Sequence, residues 1–150
     1  MLKIIFFSFI FFISIFNQVF GVEEYFVTLK HKKVNVRYGP SLDYQVKYIY
    51  KKAGLPLKVI DRKENFRRVI DHKNNSGWIH WTQLENSTSL ITTSEKILFK
   101  KPTKFSEPLA KLSEGRLLIV IKCQDKWCNI KTEDYEGWIL KDDNLWGKIN

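Results

Sequence analysis

The chain has 150 residues, a formal net charge of +9, three histidines and two cysteines. These side chains speak against catalysis, because His31, His72 and His80 lack metal-ligand spacing and no acid stands beside a nucleophile in a recognisable arrangement. The cysteines also lack the two-residue gap of a dithiol redox motif. We therefore do not expect an enzyme, and we expect no metal and no cofactor.

Residues 1–21 have the pattern of a secretory signal peptide. Lys3 supplies a positive start, residues 4–16 are mostly apolar, and the small residue Gly21 precedes the expected cleavage point. An uncleaved anchor is the alternative, although the apolar run is short for a membrane span. There is no cysteine near the cleavage point, which argues against a lipid-modified N-terminus. We expect a mature chain in the periplasm, without a stable membrane span.

The positive charge is unevenly distributed. Residues 22–84 contain thirteen Lys and Arg against six Asp and Glu, a net of +7, whereas residues 85–150 contain eleven against ten, a net of +1. The first half would therefore attract an anionic partner. The alternative is that its lysines only keep a small exported protein soluble.

Short alternating segments predict β-strands throughout the mature chain. In the first half these are residues 25–29, 34–36, 44–50, 55–60 and 67–70. Turn residues separate them, notably Gly39-Pro40-Ser41 and the polar loop 72–77. No segment has an apolar stripe with helical spacing, so the protein should be almost entirely β.

The element Gly77-Trp78-Ile79 recurs as Gly137-Trp138-Ile139, which identifies a tandem repeat. The offset between the copies is 62 residues at Pro40 and Pro102 and 60 at the recurring element. Such drift is typical of insertions in loops, since a strand that changes length turns its faces over. We predict a first unit of residues 22–84, a linker of residues 85–89 and a second unit of residues 90–150.

Cys123 and Cys128 flank a four-residue loop at the tip of a predicted hairpin in the second unit. Their positions in the alternating pattern allow both thiols to point to one face. Cross-strand neighbours lie within disulfide range, and export permits oxidation. We expect a disulfide that fixes the hairpin, with two free thiols as the alternative.

The segment Asn35-Val36-Arg37-Tyr38-Gly39-Pro40-Ser41, followed by Gly77-Trp78-Ile79, resembles the bacterial SH3-like (SH3b) domain. The second unit is similar to the companion domain in exported tandem SH3-like proteins of α-proteobacteria. The matching positions are Cys123, Trp127-Cys128, Gly137-Trp138-Ile139 and Leu145-Trp146-Gly147. The resemblance implies an all-β protein with two tandem, strongly bent barrels that bind a ligand. In SH3b units attached to cell-wall enzymes, that ligand is often a peptidoglycan peptide.

The candidate ligand-binding residues lie in the first unit and are Arg37, Tyr38, Tyr44, His80 and Trp81. In a barrel of this type, the loops beside the two tyrosines would approach the turn that follows Ile79. Rings with a polar edge suit a peptide or a sugar. Arg37, Arg67 and Arg68 would attract peptide carboxylates.

The recurring element itself is predicted to be structural. Trp78 and Trp138 are expected to plug the two barrels, with Gly77 and Gly137 as part of the closure, because the element recurs in both units. Tyr38, His80 and Trp81 have no counterpart in the second unit. We therefore expect the second unit to be mainly structural.

The resulting hypothesis is an exported, non-catalytic binding protein of the cell envelope. Peptidoglycan is the leading partner, and segments of envelope proteins are the next. The alternative is a structural or adaptor protein whose barrels mediate protein contacts. Nucleic acid is not an expected partner, because a signal peptide directs export. The sequence leaves open the oligomeric state and whether the two barrels move relative to one another.

Overall fold

The computed structural model describes residues 23–149, so the predicted signal peptide lies outside the described residues. Those residues form fourteen β-strands and one short 3-10 turn, Trp81–Gln83. No helix in residues 23–149 has the length and apolar character needed to cross a membrane. The all-β prediction is confirmed.

The first unit is a sheet of seven strands. In chain order they are β1 (Tyr25–Leu29), β2 (Val34–Arg37), β3 (Val46–Tyr50), β4 (Pro56–Lys63), β5 (Phe66–Ile70), β6 (Ser76–His80) and β7 (Leu84–Asn86). Their order in the sheet is β3-β2-β6-β5-β4-β1-β7. The hairpin β4–β5 and the Gly-Trp-Ile strand β6 therefore lie together in the middle.

The second unit repeats this arrangement strand for strand. Its strands are β8 (Ser89–Thr92), β9 (Lys96–Phe99), β10 (Pro108–Leu112), β11 (Leu117–Gln124), β12 (Trp127–Thr132), β13 (Tyr135–Leu140) and β14 (Leu145–Trp146). Their order, β10-β9-β13-β12-β11-β8-β14, matches that of the first sheet. The repeat inferred from the Gly-Trp-Ile element thus extends to the whole topology.

Each sheet has irregular pairing at two places, and these recur at matching positions. The β2–β3 pairing leaves Lys47 without a partner residue, and the β9–β10 pairing does the same to Leu109. The β4–β5 and β11–β12 pairings leave out Ile60 and Ile121. An extra residue of this kind bends its strand and increases the local twist, which lets a small sheet curl around a core.

The cores are aliphatic. The first contains Val27, Leu29, Val34, Val36, Leu57, Val59, Val69 and Ile79, and the second contains Leu90, Leu98, Leu112, Leu118, Cys128, Ile130 and Ile139. Ile79 and Ile139 are fully buried, whereas the neighbouring Trp78 and Trp138 are only half-buried. The prediction that the tryptophans plug the barrels is therefore wrong. Strand alternation gives the inward position to the isoleucine, which stabilises the fold by about 1.5–3 kcal/mol when fully buried.

Gly77 and Gly137 lie where each barrel closes. β6 pairs with β2 at a single position, Trp78 opposite Arg37, and β13 pairs with β9 through Trp138 and Phe99. A Cβ atom at Gly77 would lie 2.3 Å from the Cγ1 atom of Val36. At Gly137 it would lie 2.8 Å from the carbonyl oxygen of Phe99. The absence of a side chain allows the two strands to approach at the closure.

The segment predicted as a linker, 85–89, is largely part of the two sheets. Leu84–Asn86 forms β7, which pairs with β1, and Ser89 begins β8. Ser89 of this segment connects the two units. Its hydroxyl donates a hydrogen bond to the Gly54 carbonyl at 2.6 Å. The hydroxyls of Ser89 and Thr28 lie 3.4 Å apart.

A second set of contacts joins the units nearby. The indole N–H of Trp146 donates to the carbonyl of Pro56 at 3.1 Å. The same indole packs edge to face on Phe26, with ring centroids 5.3 Å apart. We call this junction the seam: Phe26, Thr28, Gly54, Pro56, Ser89 and Trp146. The two units are therefore packed against each other, a point that the sequence left open.

Cys123 and Cys128 form the predicted disulfide. They are directly opposite each other on β11 and β12, with Cα atoms 4.1 Å apart. Cys128 is buried in the second core, whereas Cys123 is exposed. The bridge closes the tip of the hairpin.

A buried carboxylate organises the loop that leads into β6. Asp71 accepts hydrogen bonds from the backbone N–H groups of Lys73 and Asn75, both at 2.9 Å, and from the Tyr50 hydroxyl at 3.0 Å. Burial would raise the pKa of Asp71, but the hydrogen bonds, led by the Asn75 side chain, outweigh it and hold this pKa below its ordinary value. Burial raises the pKa of Tyr50, so its hydroxyl stays protonated and donates.

Candidate ligand-binding groove

A groove opens on the first unit where β2 and β6 separate. Beyond the single pair Arg37–Trp78, continued pairing would place Asn35 opposite His80, but the two strands diverge there. The opening has a volume of about 380 Å³. Its lining residues are Lys33, Asn35, Arg37, Leu42, Phe66, His80 and Gln83.

The groove combines an apolar surface with positive charge. Phe66 is buried at 6% exposure, whereas Leu42 is 68% exposed at the tip of the β2–β3 loop. Lys33 and Arg37 are the charged lining residues, and no carboxylate lines the groove. Such a site suits a short ligand that has a free carboxylate and an apolar side chain.

Arg37 has two tasks in this geometry. Its Nη1 atom donates to the carbonyl oxygens of Leu42 at 3.1 Å and Tyr44 at 2.7 Å, which fixes the β2–β3 loop. A guanidinium has five N–H donors, so this use of one nitrogen leaves others for a ligand. Arg37 therefore positions Leu42 and also contributes positive charge.

His80 is held by neighbours on β5 and in the turn that follows β6. Its Nδ1 atom lies 2.8 Å from the Thr82 hydroxyl, and its ring packs edge to face on Phe66 with centroids 5.2 Å apart. The Trp81 ring stacks on His80 with centroids 6.4 Å apart and is 53% exposed. His80 thus lines the groove, and Trp81 flanks it through His80.

The two predicted tyrosines lie elsewhere. Tyr38 is 63% exposed and sits on the other side of Arg37, where the Lys47 ammonium lies 5.7 Å from its ring centroid. The ring of Tyr44 covers Gly39, since a Cβ atom there would lie 2.5 Å from ring atoms. The structure therefore brings together Arg37, His80 and Trp81 but separates both tyrosines from the groove.

Sequence reasoning missed Lys33, Asn35, Leu42, Phe66 and Gln83. Asn35 could have been predicted from the sequence. Because Val34 and Val36 point inward, Asn35 and Arg37 share the outer face of β2. Leu42 had a weaker signal as an isolated apolar residue in a polar loop. The other three depend on the separation of β2 and β6, which has no local sequence signature.

The second unit does not repeat the chemistry of the groove. Phe99 and Trp127 occupy the positions of Arg37 and Phe66, and their rings contact edge to face with centroids 5.7 Å apart. Leu140 occupies the position of His80. Aromatic contact thus replaces the cation and the imidazole.

Comparison with known proteins identifies the repeated unit. Residues 30–86 and 93–147 each match the sequence model of the bacterial SH3 domain family. A search of curated proteins gives no significant match. A search of solved structures gives matches that include NlpC2 and NlpC1 from Trichomonas vaginalis. Each is 17% identical over 83% of this chain, with a TM-score of 0.38. The aligned region covers 48% of NlpC2 and 46% of NlpC1, so the chain spans about half of their length.

Proposed function

Because this chain belongs to the bacterial SH3 domain family in both of its units, we propose that it is a non-catalytic binding protein of the cell envelope. In this proposal the signal peptide, residues 1–21, directs export to the periplasm. The two domains meet within the segment 85–89, which contributes to β7 and β8, and their tandem arrangement is that of the exported proteins of α-proteobacteria. The first domain binds the ligand, and the second mainly supports it.

The proposed ligand is a peptide of peptidoglycan, with a segment of an envelope protein as the next choice. The observation that carries this proposal is the groove between β2 and β6, in which Leu42 stands beside Lys33 and Arg37 without a lining carboxylate. A stem peptide offers free carboxylates and short apolar side chains. The carboxylate would interact with the cations, and the apolar side chain would cover Leu42 and Phe66.

Retention of the mature chain on purified peptidoglycan at ~0.15 M salt tests this function. Leu42→Ala removes apolar area that a ligand would bury, and we expect it to weaken binding about tenfold, which is ~1.4 kcal/mol. His80→Ala should weaken binding to a similar extent. The matched controls are Phe105→Ala, an exposed apolar residue in the second unit, and His31→Ala, an exposed histidine outside the groove. Both controls should bind like the unmodified chain.

Two results would contradict the proposal. One is no retention at this salt concentration. The other is retention that disappears with added salt but survives Leu42→Ala and His80→Ala, because charge alone would then explain it.

An adaptor function is the second candidate. The observation that favours it is Phe105, which is 99% exposed in the β9–β10 loop of the second unit. If the chain captures an envelope protein instead of peptidoglycan, and Phe105→Ala abolishes capture while Leu42→Ala does not, the adaptor function holds and the peptide groove does not.

A further inference from the structure

Three strands of the first unit present a row of two arginines and a tryptophan on one face. Arg68 on β5 is the cross-strand partner of Trp78 on β6, and Trp78 is the partner of Arg37 on β2. Directly opposed residues in a sheet point to the same side. Their neighbours Val36, Val69 and Ile79 are buried, so the row lies on the outer face of the barrel.

This row forms one wall of a pocket that is separate from the groove. The pocket has a volume of about 260 Å³ and is lined by Arg37, Tyr38, Lys47, Arg68, Ser76, Gly77 and Trp78. Arg37 stands between the pocket and the groove and lines both. We call this site the cationic pocket.

Irregular pairing supplies the third cation. Lys47 is the residue that the β2–β3 pairing leaves out, and its ammonium donates to the Ser76 carbonyl at 2.9 Å. It also lies 5.7 Å from the ring centroid of Tyr38 and 6.0 Å from that of Tyr48. These contacts fix the ammonium at the pocket without neutralising it.

Within residues 23–149, no carboxylate forms an ion pair with a cation of the pocket. The ion pairs found there involve Lys58, Lys96, Lys100, Lys111 and Arg116, and none involves a cation of the pocket. No carboxylate lines the pocket. Asp61 on β4 is the cross-strand partner of Arg68, but its Oδ1 atom accepts a hydrogen bond from the Arg62 backbone N–H at 2.7 Å. Three cations beside a single neighbouring carboxylate leave an excess of positive charge that opposes folding, so their grouping needs a reason other than stability.

The second unit shows that the fold does not require these cations. Its equivalent row is Asn129, Trp138 and Phe99, so the tryptophan is retained while both arginines are replaced. Leu109 occupies the position of Lys47. The same closure thus forms without cations at these three positions, although the Lys122 ammonium lies 5.7 Å from the Trp138 ring centroid. Closure of the barrel therefore does not explain why the first unit has Arg37, Lys47 and Arg68.

We propose that the cationic pocket binds the phosphate group of a phosphorylated sugar. Arginine presents a fork of N–H donors that matches phosphate oxygens, and Lys47 adds a point charge. A dianionic phosphate ester satisfies three cations better than a single carboxylate does. The rings of Trp78 and Tyr38 offer flat apolar faces for the sugar. The volume lies just below that of drug-sized sites, which suits one phosphate and part of a sugar ring. The pocket shares Arg37 with the peptide groove, but the phosphate proposal does not rest on peptide binding in the groove.

The test is an NMR titration of the mature chain with glucose 1-phosphate, with glucose and inorganic phosphate as separate arms. The readout is the indole N–H resonance of Trp78, assigned with Trp78→Phe. We expect the ester to shift this resonance and to bind more tightly than either fragment. Arg68→Gln should weaken binding about tenfold, because it removes charge-assisted hydrogen bonds.

The matched control is Arg62→Gln, which removes another exposed arginine of the same unit outside the pocket. It should change affinity less than about twofold, because only the diffuse field is altered. An equal loss for both variants would overturn the proposal, as would no shift of the Trp78 indole at ~10 mM ester. Both arginines are exposed, and unchanged backbone resonances elsewhere verify that each variant is folded.

Vesicles distinguish the two sources of such a phosphate. If vesicles that carry a phosphorylated glycolipid perturb the Trp78 indole, whereas phosphatidylglycerol vesicles do not, the ligand is a membrane headgroup. If only the soluble ester acts, the ligand is a free saccharide. Either result supports the site. An equal response to phosphatidylglycerol vesicles, with no response to the ester, would overturn the proposal, because the surface would then recognise negative charge without the sugar.

Discussion

Gly77→Ala is the most direct test of how the first barrel closes. The new Cβ atom would lie 2.3 Å from the Val36 Cγ1 atom, whereas ordinary contacts begin at 3.4 Å, so the strands must separate by roughly the difference of 1.1 Å. Val36 is fully buried and cannot move outward. The Arg37 carbonyl oxygen, 3.0 Å away, belongs to the backbone and is equally constrained.

We expect a destabilisation near the upper end of the ~1–3 kcal/mol found for overpacked cores. For a chain of this length, ~3 kcal/mol corresponds to a fall in Tm of roughly 6–12 °C. The assay is thermal and urea unfolding followed by circular dichroism. The control is Gly39→Ala, whose Cβ atom would meet the Tyr44 ring at 2.5 Å. That ring is 48% exposed and is able to move into solvent, so a smaller loss is expected. A loss below ~0.5 kcal/mol for Gly77→Ala, or a larger one for Gly39→Ala, would refute the reasoning.

Two further predictions concern stability. Because hydrogen bonds hold the pKa of Asp71 below its ordinary value of 3.8, its stabilising effect is present above that value and is lost as pH falls through the lower folded pKa. The difference in unfolding free energy between the native chain and Asp71→Asn should therefore shrink below about pH 4, whereas the effect of Asp142, whose pKa is also lowered, is common to both chains and cancels. A constant difference across that range would contradict the assigned role. Reduction of the Cys123–Cys128 disulfide should lower the unfolding free energy by about 2 kcal/mol, since the loop it closes is short. Urea unfolding with and without dithiothreitol measures this loss, and no change in midpoint would show that the bridge is dispensable.

Local patterns determined what the sequence could predict. The alternation of Val34, Asn35, Val36 and Arg37 sets the inner and outer faces of β2 without reference to any distant residue. Because the same pattern of strands occurs in both units, each unit supports the assignment made for the other. The all-β topology and the matching units were therefore predictable. The disulfide followed from the position of two cysteines around one turn.

The errors arose where size or polarity was given more weight than strand position. Trp78 is the largest residue of its element, yet its place on β6 puts it outside and Ile79 inside. Lys96 shows the converse. It occupies the core position of Val34 in the second unit, and is buried because it pairs with Asp142 at 2.5 Å, forty-six residues away. No local pattern encodes such a partner.

The composition of the candidate site was the least predictable part. Tyr38 and Tyr44 are predicted beside His80 because, in a barrel of this type, the loops next to them approach the turn that follows Ile79. The irregular pairing at Lys47 instead directs the β2–β3 loop so that Leu42 reaches the groove while Tyr44 covers Gly39. A one-residue change of register is invisible in a single sequence, but it decides which side chains meet.

Tandem copies of a domain normally remain independent of each other. The seam indicates that these copies have lost that independence. Removal of the second domain would leave the Gly54 and Pro56 carbonyls without their Ser89 and Trp146 donors, and would uncover one face of Phe26. A protein that contained the first unit alone would therefore expose backbone acceptors and an aromatic ring that the second unit covers here.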